Sequence, residues 1–292
     1  MGAYRYRHQG ISIDSEIHIP EWDSAAVPAI GQADVSILVA SQAGLLPAKT
    51  PACGEYQHFV QQAGWFCLRD GCAILALPLE LPVSRRFRSF LIGSVWGALL
   101  YQRQELLIHA SAIRTATGAI AFAGPRGSGK STVAALLGTQ GYELISDDLC
   151  RIELGPDSAV IHPSLPRLKL LGDAMERLGW GGITSVHDEL QPQKRHYTPA
   201  SAGVVEPTRL ARIYLLEWGE YRVRPVRGMA GFRSLLRKAT WRATLLEKYG
   251  NPTFYIHQMG RLLQTVPVAE FRRPRDLLNF PDWLEQTLKP DI

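Results

Sequence analysis

Apolar and polar positions alternate along the first eighty residues. Ile11, Ile13, Ile17 and Ile19 recur between polar neighbours, and the short apolar runs 35–40, 65–68 and 73–77 follow. Period-two alternation and short runs bounded by turn residues are strand signals, so residues 1–82 are expected to form a small β-rich domain. The period then changes. Beyond Pro78, Pro82 and Arg85-Arg86, the residues Phe87, Phe90, Leu91, Val95, Ala98 and Leu99 recur at helical spacing. They predict a helix whose apolar stripe enters a core and links the two parts of the chain.

Short apolar runs return at 106–113 and 119–123 and read as buried strands. Residues 133–137 read as a helix that ends near Gly138 and Gly141, and 144–146 as the end of another strand. A hairpin is expected for 150–154 and 159–161, around Gly155-Pro156-Asp157. A helix over 173–178 should stop at Gly179-Trp180-Gly181-Gly182. The polar stretch 183–203 predicts a mobile loop over a site, and 211–217 a buried strand. The remainder, 226–292, reads as mainly helical. Residues 83–225 are therefore expected to form a central α/β domain between a β-rich and a helical part.

The run Gly124-Pro125-Arg126-Gly127-Ser128-Gly129-Lys130-Ser131-Thr132 lies between the predicted strand and helix. It matches G-x-x-x-x-G-K-[ST]. Glycines let the backbone curl so that successive N–H groups face one phosphate chain. Lys130 supplies a cation for β and γ oxygens, and Ser131 a hydroxyl for Mg²⁺. The following helix adds its positive end. ATP and Mg²⁺ are the ligands expected. One helix and one strand later stand Asp147-Asp148, at the carboxyl end of a strand, where open α/β sheets bind ligands. One carboxylate of such a pair can hold the metal while the other accepts a proton from an attacking hydroxyl. His109 sits in the apolar run upstream, where an adjacent antiparallel strand would bring it near the phosphates.

These features in this order resemble the HPr kinase/phosphorylase catalytic domain, a relative of ATP-dependent phosphoenolpyruvate carboxykinase. The resemblance covers residues 100–155 well and the rest loosely. It implies an α/β fold with a P-loop core and phosphoryl transfer to serine. It also implies that Asp147 is the general base, that Ser131 and Asp148 form the metal side, and that His109 lies beside the transferred phosphate. Relatives with this core assemble as homo-oligomers. The family's Glu-Ile-Arg-Gly loop is absent, and His162-Pro163-Ser164-Leu165-Pro166-Arg167-Leu168-Lys169-Leu170 stands in its place. The acceptor expected is therefore a serine of another peptide or protein. The N-terminal third, with Gly10 to Ile17 and Pro20-Glu21-Trp22, is similar to HPr-kinase-like proteins of peptide-modification clusters. Those include kinases that act on lasso-peptide precursors.

Composition narrows the alternatives. The chain has 292 residues, 46% hydrophobic and 20% charged, which is enough apolar material for a core and excludes wholesale disorder. The formal net charge of +5 suits anionic ligands such as ATP or an acidic peptide. No aromatic-rich recognition motif argues for nucleic acid. The longest apolar run, 90–101, is too short to cross a bilayer, and the start lacks the apolar core of a signal peptide. A cytoplasmic protein is expected, with Cys53, Cys67, Cys72 and Cys150 as free thiols. His-Arg-Asp and Asp-Phe-Gly are both missing, so a protein-kinase fold is excluded. A small-metabolite kinase and a non-catalytic ATP-binding module remain open. The cation that faces the γ-phosphate is one of Lys194, Arg195, Arg167 and Lys169. Arg233, Arg237, Lys238 and Arg242 are a candidate docking face for an acidic substrate.

Overall fold

The structure, a computed structural model, describes residues 4–39, 55–60, 63–178, 185–198, 206–275 and 288. It is a mixed α/β fold with several sheets. Its contacts gather into two compact units, Met1–Glu105 with Ala243–Pro252 and Leu106–Arg242 with Thr253–Ile292.

In the first unit the alternating residues form strands. Among the described residues the order is β1(Tyr4–His8)–β2(Ile11–Ser15)–β3(Val35–Val39)–β6(Ala73–Pro78)–β5(Gly64–Arg69)–β4(Glu55–Val60). Ile11 and Ile13 point inward as the alternation requires. Ile17 and Ile19 are equally buried but lie beyond the strand. Trp22, on the short 3₁₀ helix Pro20–Ala25, is fully buried. Its ring meets Tyr6 edge-on at 5.7 Å and Trp96 at 5.6 Å, and stacks on His8 at 4.9 Å.

The predicted helix is present. It runs from Arg85–Phe90 through a π-helical turn, Leu91–Val95, into Trp96–Gln102. The Ser84 hydroxyl caps it by accepting the Phe87 N–H. Its apolar stripe belongs to the first unit, because Phe87 stacks on Phe66 at 4.3 Å and the Trp96 Nε1–H donates to Gln9 at 3.0 Å. The helix thus groups with the β-rich part, whereas the sequence suggested the central domain.

The second unit is built on one long strand, β16(Thr208–Trp218), which contains the predicted 211–217 run. Its later half lies between two parallel partners, β9(Gly118–Ala123) and β18(Val268–Arg273). Beyond β9 come β8(Ala110–Thr115) and β10(Glu143–Asp147), both antiparallel to their neighbours, and β17(Arg222–Pro225) lies beyond β18. The start of β16 instead carries β12(Ala159–Ile161), β11(Cys150–Leu154) and β7(Leu106–Ile108). The helix Lys130–Thr139 packs over this sheet with Val133, Ala134, Ala135 and Leu137 buried. These join Ile120, Phe122, Tyr214, Leu216 and Phe271 in the core.

Three expectations need correction. The 106–113 run is two strands, β7 and β8, separated at His109. The C-terminal part is not simply helical. It holds the helices Gly228–Ala239, Ala243–Tyr249 and Pro252–Thr265, but 268–273 completes the central sheet as β18. Its apolar residues are too few for a periodic signal, and pairing with β16 makes it a strand. Residues 183–203 are also not one loop. Val186–His187 (β14) and Lys194–Tyr197 (β15) form a small sheet with β13(Leu168–Leu171). Residues 183–184 and 199–203 lie outside the described residues, as do Gly179-Trp180-Gly181-Gly182 and Cys53. Among the described residues Cys67, Cys72 and Cys150 form no disulfide.

A candidate phosphate-transfer site at the carboxyl ends of the central strands

β9 ends at Ala123 and the chain turns at once into the Gly124–Thr132 run. Gly127 and Gly129 take φ of +81° and +86°, the left-handed region that favours glycine. Gly129 N-caps the helix Lys130–Thr139 without a side-chain bond, so the first helical N–H groups have no side-chain cap. Such a terminus attracts anions. Lys130 is buried, and its Nζ donates to the carbonyls of Gly124 at 2.9 Å and Pro125 at 3.2 Å. Burial pulls its pKa down to about 8, against the opposing pull of Asp147 and Asp148.

The loop opens into a cavity of about 620 Å³. Arg126, Gly127, Gly129, Lys130, Ser131 and Thr132 line it, as do His109, Asp147 and Asp148. Gly124, Pro125 and Ser128 shape the loop from behind. Of the four candidate γ-cations, Lys169 and Lys194 line the cavity, and Arg167 and Arg195 do not.

The two aspartates have different partners. Asp147, the last residue of β10, accepts from the hydroxyls of Ser111 and of Ser131, the latter at 2.8 Å, both on Oδ1. Its Oδ2 accepts the Lys169 N–H at 3.0 Å. Asp148 follows with φ +71° and meets His109, whose Nε2 lies 3.1 Å from its Oδ1. Partial burial would raise the Asp148 pKa, but the His109 hydrogen bond, reinforced by the charges of His109, Arg242 and Lys169, holds it well below the usual carboxylate range. The sequence reading grouped Ser131 with Asp148; the structure groups Ser131 with Asp147 and His109 with Asp148. β10 ends at Asp147 and Asp148 turns away in a left-handed backbone, so the two adjacent aspartates meet different partners.

The position of this second pair follows from the sheet. Asp147 pairs with Ser111 across β10 and β8, and Cys150 pairs with Ile108 across β11 and β7. Both chains therefore leave one sheet and enter the other at the same place, and His109 and Asp148 occupy that crossing. The His109 N–H, released from the ladder, donates to the Ala239 carbonyl at 2.7 Å.

A further cluster fixes the cavity's far wall. Asp188 is almost fully buried; its Oδ2 receives Lys169 Nζ at 2.6 Å and His196 Nε2 at 2.7 Å, and its Oδ1 accepts the N–H groups of Leu190 and Gln191. It ties β13 to the β14–β15 hairpin, which carries Lys194. Among the described residues Lys194 makes no ion pair, and burial followed by the nearby Lys169 charge lowers its pKa.

Sequence reasoning missed Ser111, Asp188, Trp218, Arg273 and Arg275. Trp218 and Arg273 end parallel strands on the loop side of the sheet, so the carboxyl-end rule would have found them had β18 been recognised. The expected basic face does not form as a unit. Lys238 is buried on Glu217 and Glu270, whereas Arg233, Arg237 and Arg242 are exposed.

No protein-family model matches the chain, and no curated protein matches it. Among solved structures the chain is similar to the Hpr(Ser) kinase/phosphatase from Coxiella burnetii, with a TM-score of 0.33 and 13% identity. The likeness covers 63% of this chain and 88% of that one. It is too slight to assign fold or function. Among the described residues no helix is long and apolar enough to cross a membrane.

Proposed function

We propose that the chain is an ATP- and Mg²⁺-dependent kinase that transfers the γ-phosphate to a serine hydroxyl of a peptide or protein, with lasso-type precursors as the first acceptors to try. The observation that carries this reading is the convergence of a helix-capping glycine loop, Lys130, the Ser131–Asp147 pair and the His109–Asp148 pair on one cavity. Six cationic side chains (Arg126, Lys130, Lys169, Lys194, Arg273 and Arg275) line that cavity against two carboxylates. That balance suits a polyanion.

The roles divide by geometry. Lys130 and the loop N–H groups hold the β and γ phosphates. Lys194, held over the cavity by the Asp188 cluster, faces the transferred group. Asp147 has both oxygens engaged by donors and lies beside the Ser131 hydroxyl. This pair of hard oxygen donors fits Mg²⁺, which takes one or two protein ligands along with phosphate oxygens. When bound, Mg²⁺ neutralises charge that develops on the phosphates. Asp148 is half-exposed and accepts the acceptor's hydroxyl proton, while His109 orients it. Its low pKa keeps it ionised at neutral pH, and a loose transition state asks little basicity of the base.

The test is mass spectrometry of a serine-containing candidate peptide incubated with the protein, ATP and Mg²⁺. A phosphate-sized gain on serine, lost in Lys130→Ala and Asp148→Asn, is expected. ATP binding with no transfer to any peptide, but with transfer to a free metabolite, would replace this reading with a small-molecule kinase.

A further inference from the structure

One wall of the cavity lies across the sheet from the Ser131–Asp147 pair. Trp218 ends β16 and Arg273 ends β18, directly across the ladder from it. The Arg273 guanidinium carbon lies 4.3 Å from the centroid of the indole, and that of Arg275 lies 5.5 Å from it. Arg273 is buried, at 1% exposure, whereas Trp218 retains 37% and Arg275 is exposed. All three line the same cavity as the glycine loop. The indole lies against that loop: a Cβ on Gly129 would sit 3.6 Å from Trp218 Cη2.

The sheet order gives this wall a direction. With β9 and its loop at the centre, β8 and β10 carry Ser111 and Asp147 to one side, while β16 and β18 carry Trp218 and Arg273 to the other. A triphosphate in the loop with its reactive end toward Asp148 and His109 therefore extends its other end toward the indole.

We propose that Trp218 and Arg275 form a stacking clamp for the flat heterocyclic base of a nucleoside triphosphate, with Arg273 as its fixed backing. The clamp deepens the kinase reading and rests on it, because it needs the loop to hold the phosphates. Indole and guanidinium planes both stack on heteroaromatic rings, and such stacking tolerates any base because every base has a π-face. Arg273 is locked between the indole and the loop and holds the ring's orientation. Arg275, on the exposed side, supplies the second plane.

The test compares Mg-ATP with Mg-tripolyphosphate, which has the charge and no base, by isothermal titration of the full chain. The wild-type protein is expected to bind both, ATP more tightly. Trp218→Leu should weaken ATP about 10- to 100-fold and leave tripolyphosphate nearly unchanged, and Trp218→Phe should recover most of the ATP affinity. Tripolyphosphate binding also reports that the variant has folded. Should Trp218→Leu not fold, Arg275→Gln, at an exposed position, serves instead and should weaken ATP more than tripolyphosphate. Equal losses for both ligands, or none for either, would overturn the clamp. So would wild-type affinity for ATP no better than for tripolyphosphate, although the phosphate loop would then stand. Failure to bind either ligand would refute the loop reading, and the clamp with it.

Discussion

Gly129 is where the loop geometry can be tested most sharply. Its backbone is left-handed, at φ +86°. A Cβ built there would lie 1.9 Å from Arg273 Nη2 and 3.2 Å from the guanidinium carbon. Gly129→Ala should therefore incur two separable costs. The left-handed conformation costs an alanine about 1–2 kcal/mol whatever surrounds it. The clash forces the guanidinium away, which breaks its packing on Trp218 at a cost of about 0.5–2 kcal/mol. Together they predict a stability loss of about 1.5–4 kcal/mol. The assay is a double-mutant cycle by urea unfolding, with Arg273→Ala as the second change. In the Arg273→Ala background the substitution should cost only the backbone part, so the cycle should show a coupling of about 0.5–2 kcal/mol. Additivity of the two changes would refute the contact. A neutral Gly129→Ala would refute the left-handed loop itself.

The aspartates should separate under substitution. Asp148→Asn should keep ATP affinity and lower transfer about 10²- to 10⁴-fold, whereas Asp147→Asn should weaken Mg²⁺-dependent nucleotide binding; titration and turnover assays distinguish the two, and the reverse outcome would restore the sequence-based assignment. His109→Ala should lower transfer about 10²-fold with little effect on nucleotide affinity. Acid should destabilise the second unit through Asp188 and His196. Burial lowers the His196 pKa, and despite its own burial Asp188 is held well below the usual range by His196 and Lys169. Both groups bind protons more readily unfolded than folded, so their contributions are complete at neutral pH and fall away below about pH 6.5, and further below about 3.9. Melting temperature against pH should fall on acidification, and in Asp188→Asn the part of the fall below about pH 4 should flatten. Lys238→Met leaves Glu217 and Glu270 without their buried cation and should cost about 2–3 kcal/mol in urea unfolding.

Much of the site was legible because its signals are local. The glycine spacing, the helix after it and the short gap to Asp147-Asp148 each lie within one supersecondary unit, and a glycine loop at a helix start is a local backbone structure. The division of labour between the aspartates was not legible. It depends on which face of β10 meets Ser131 and on the crossing that puts His109 beside Asp148, both of which are set by pairing between distant segments. β18 was hidden for a similar reason, since a six-residue strand with Glu270, Arg272 and Arg273 has no strong pattern of its own. Its parallel pairing with β16 supplies what the pattern lacks. Asp188 and His196 lay in a stretch that read as a polar mobile loop, although in the fold they and Lys169 satisfy one another in a buried place.

The crossing at His109 and Asp148 turns a spacing into a functional requirement. Successive side chains on a strand point to opposite faces, and the ladder fixes Ile108 against Cys150 and Ser111 against Asp147. The three-residue step from Ile108 in β7 to Ser111 in β8 matches the three-residue step from Asp147 in β10 to Cys150 in β11. One residue inserted into either step would preserve every chemical group of the pair and turn one of them away from its partner. Sequence length across this crossing is therefore as much part of the proposed site as the identities of the two residues. Insertions and deletions here should be far less tolerated than substitutions that keep the count.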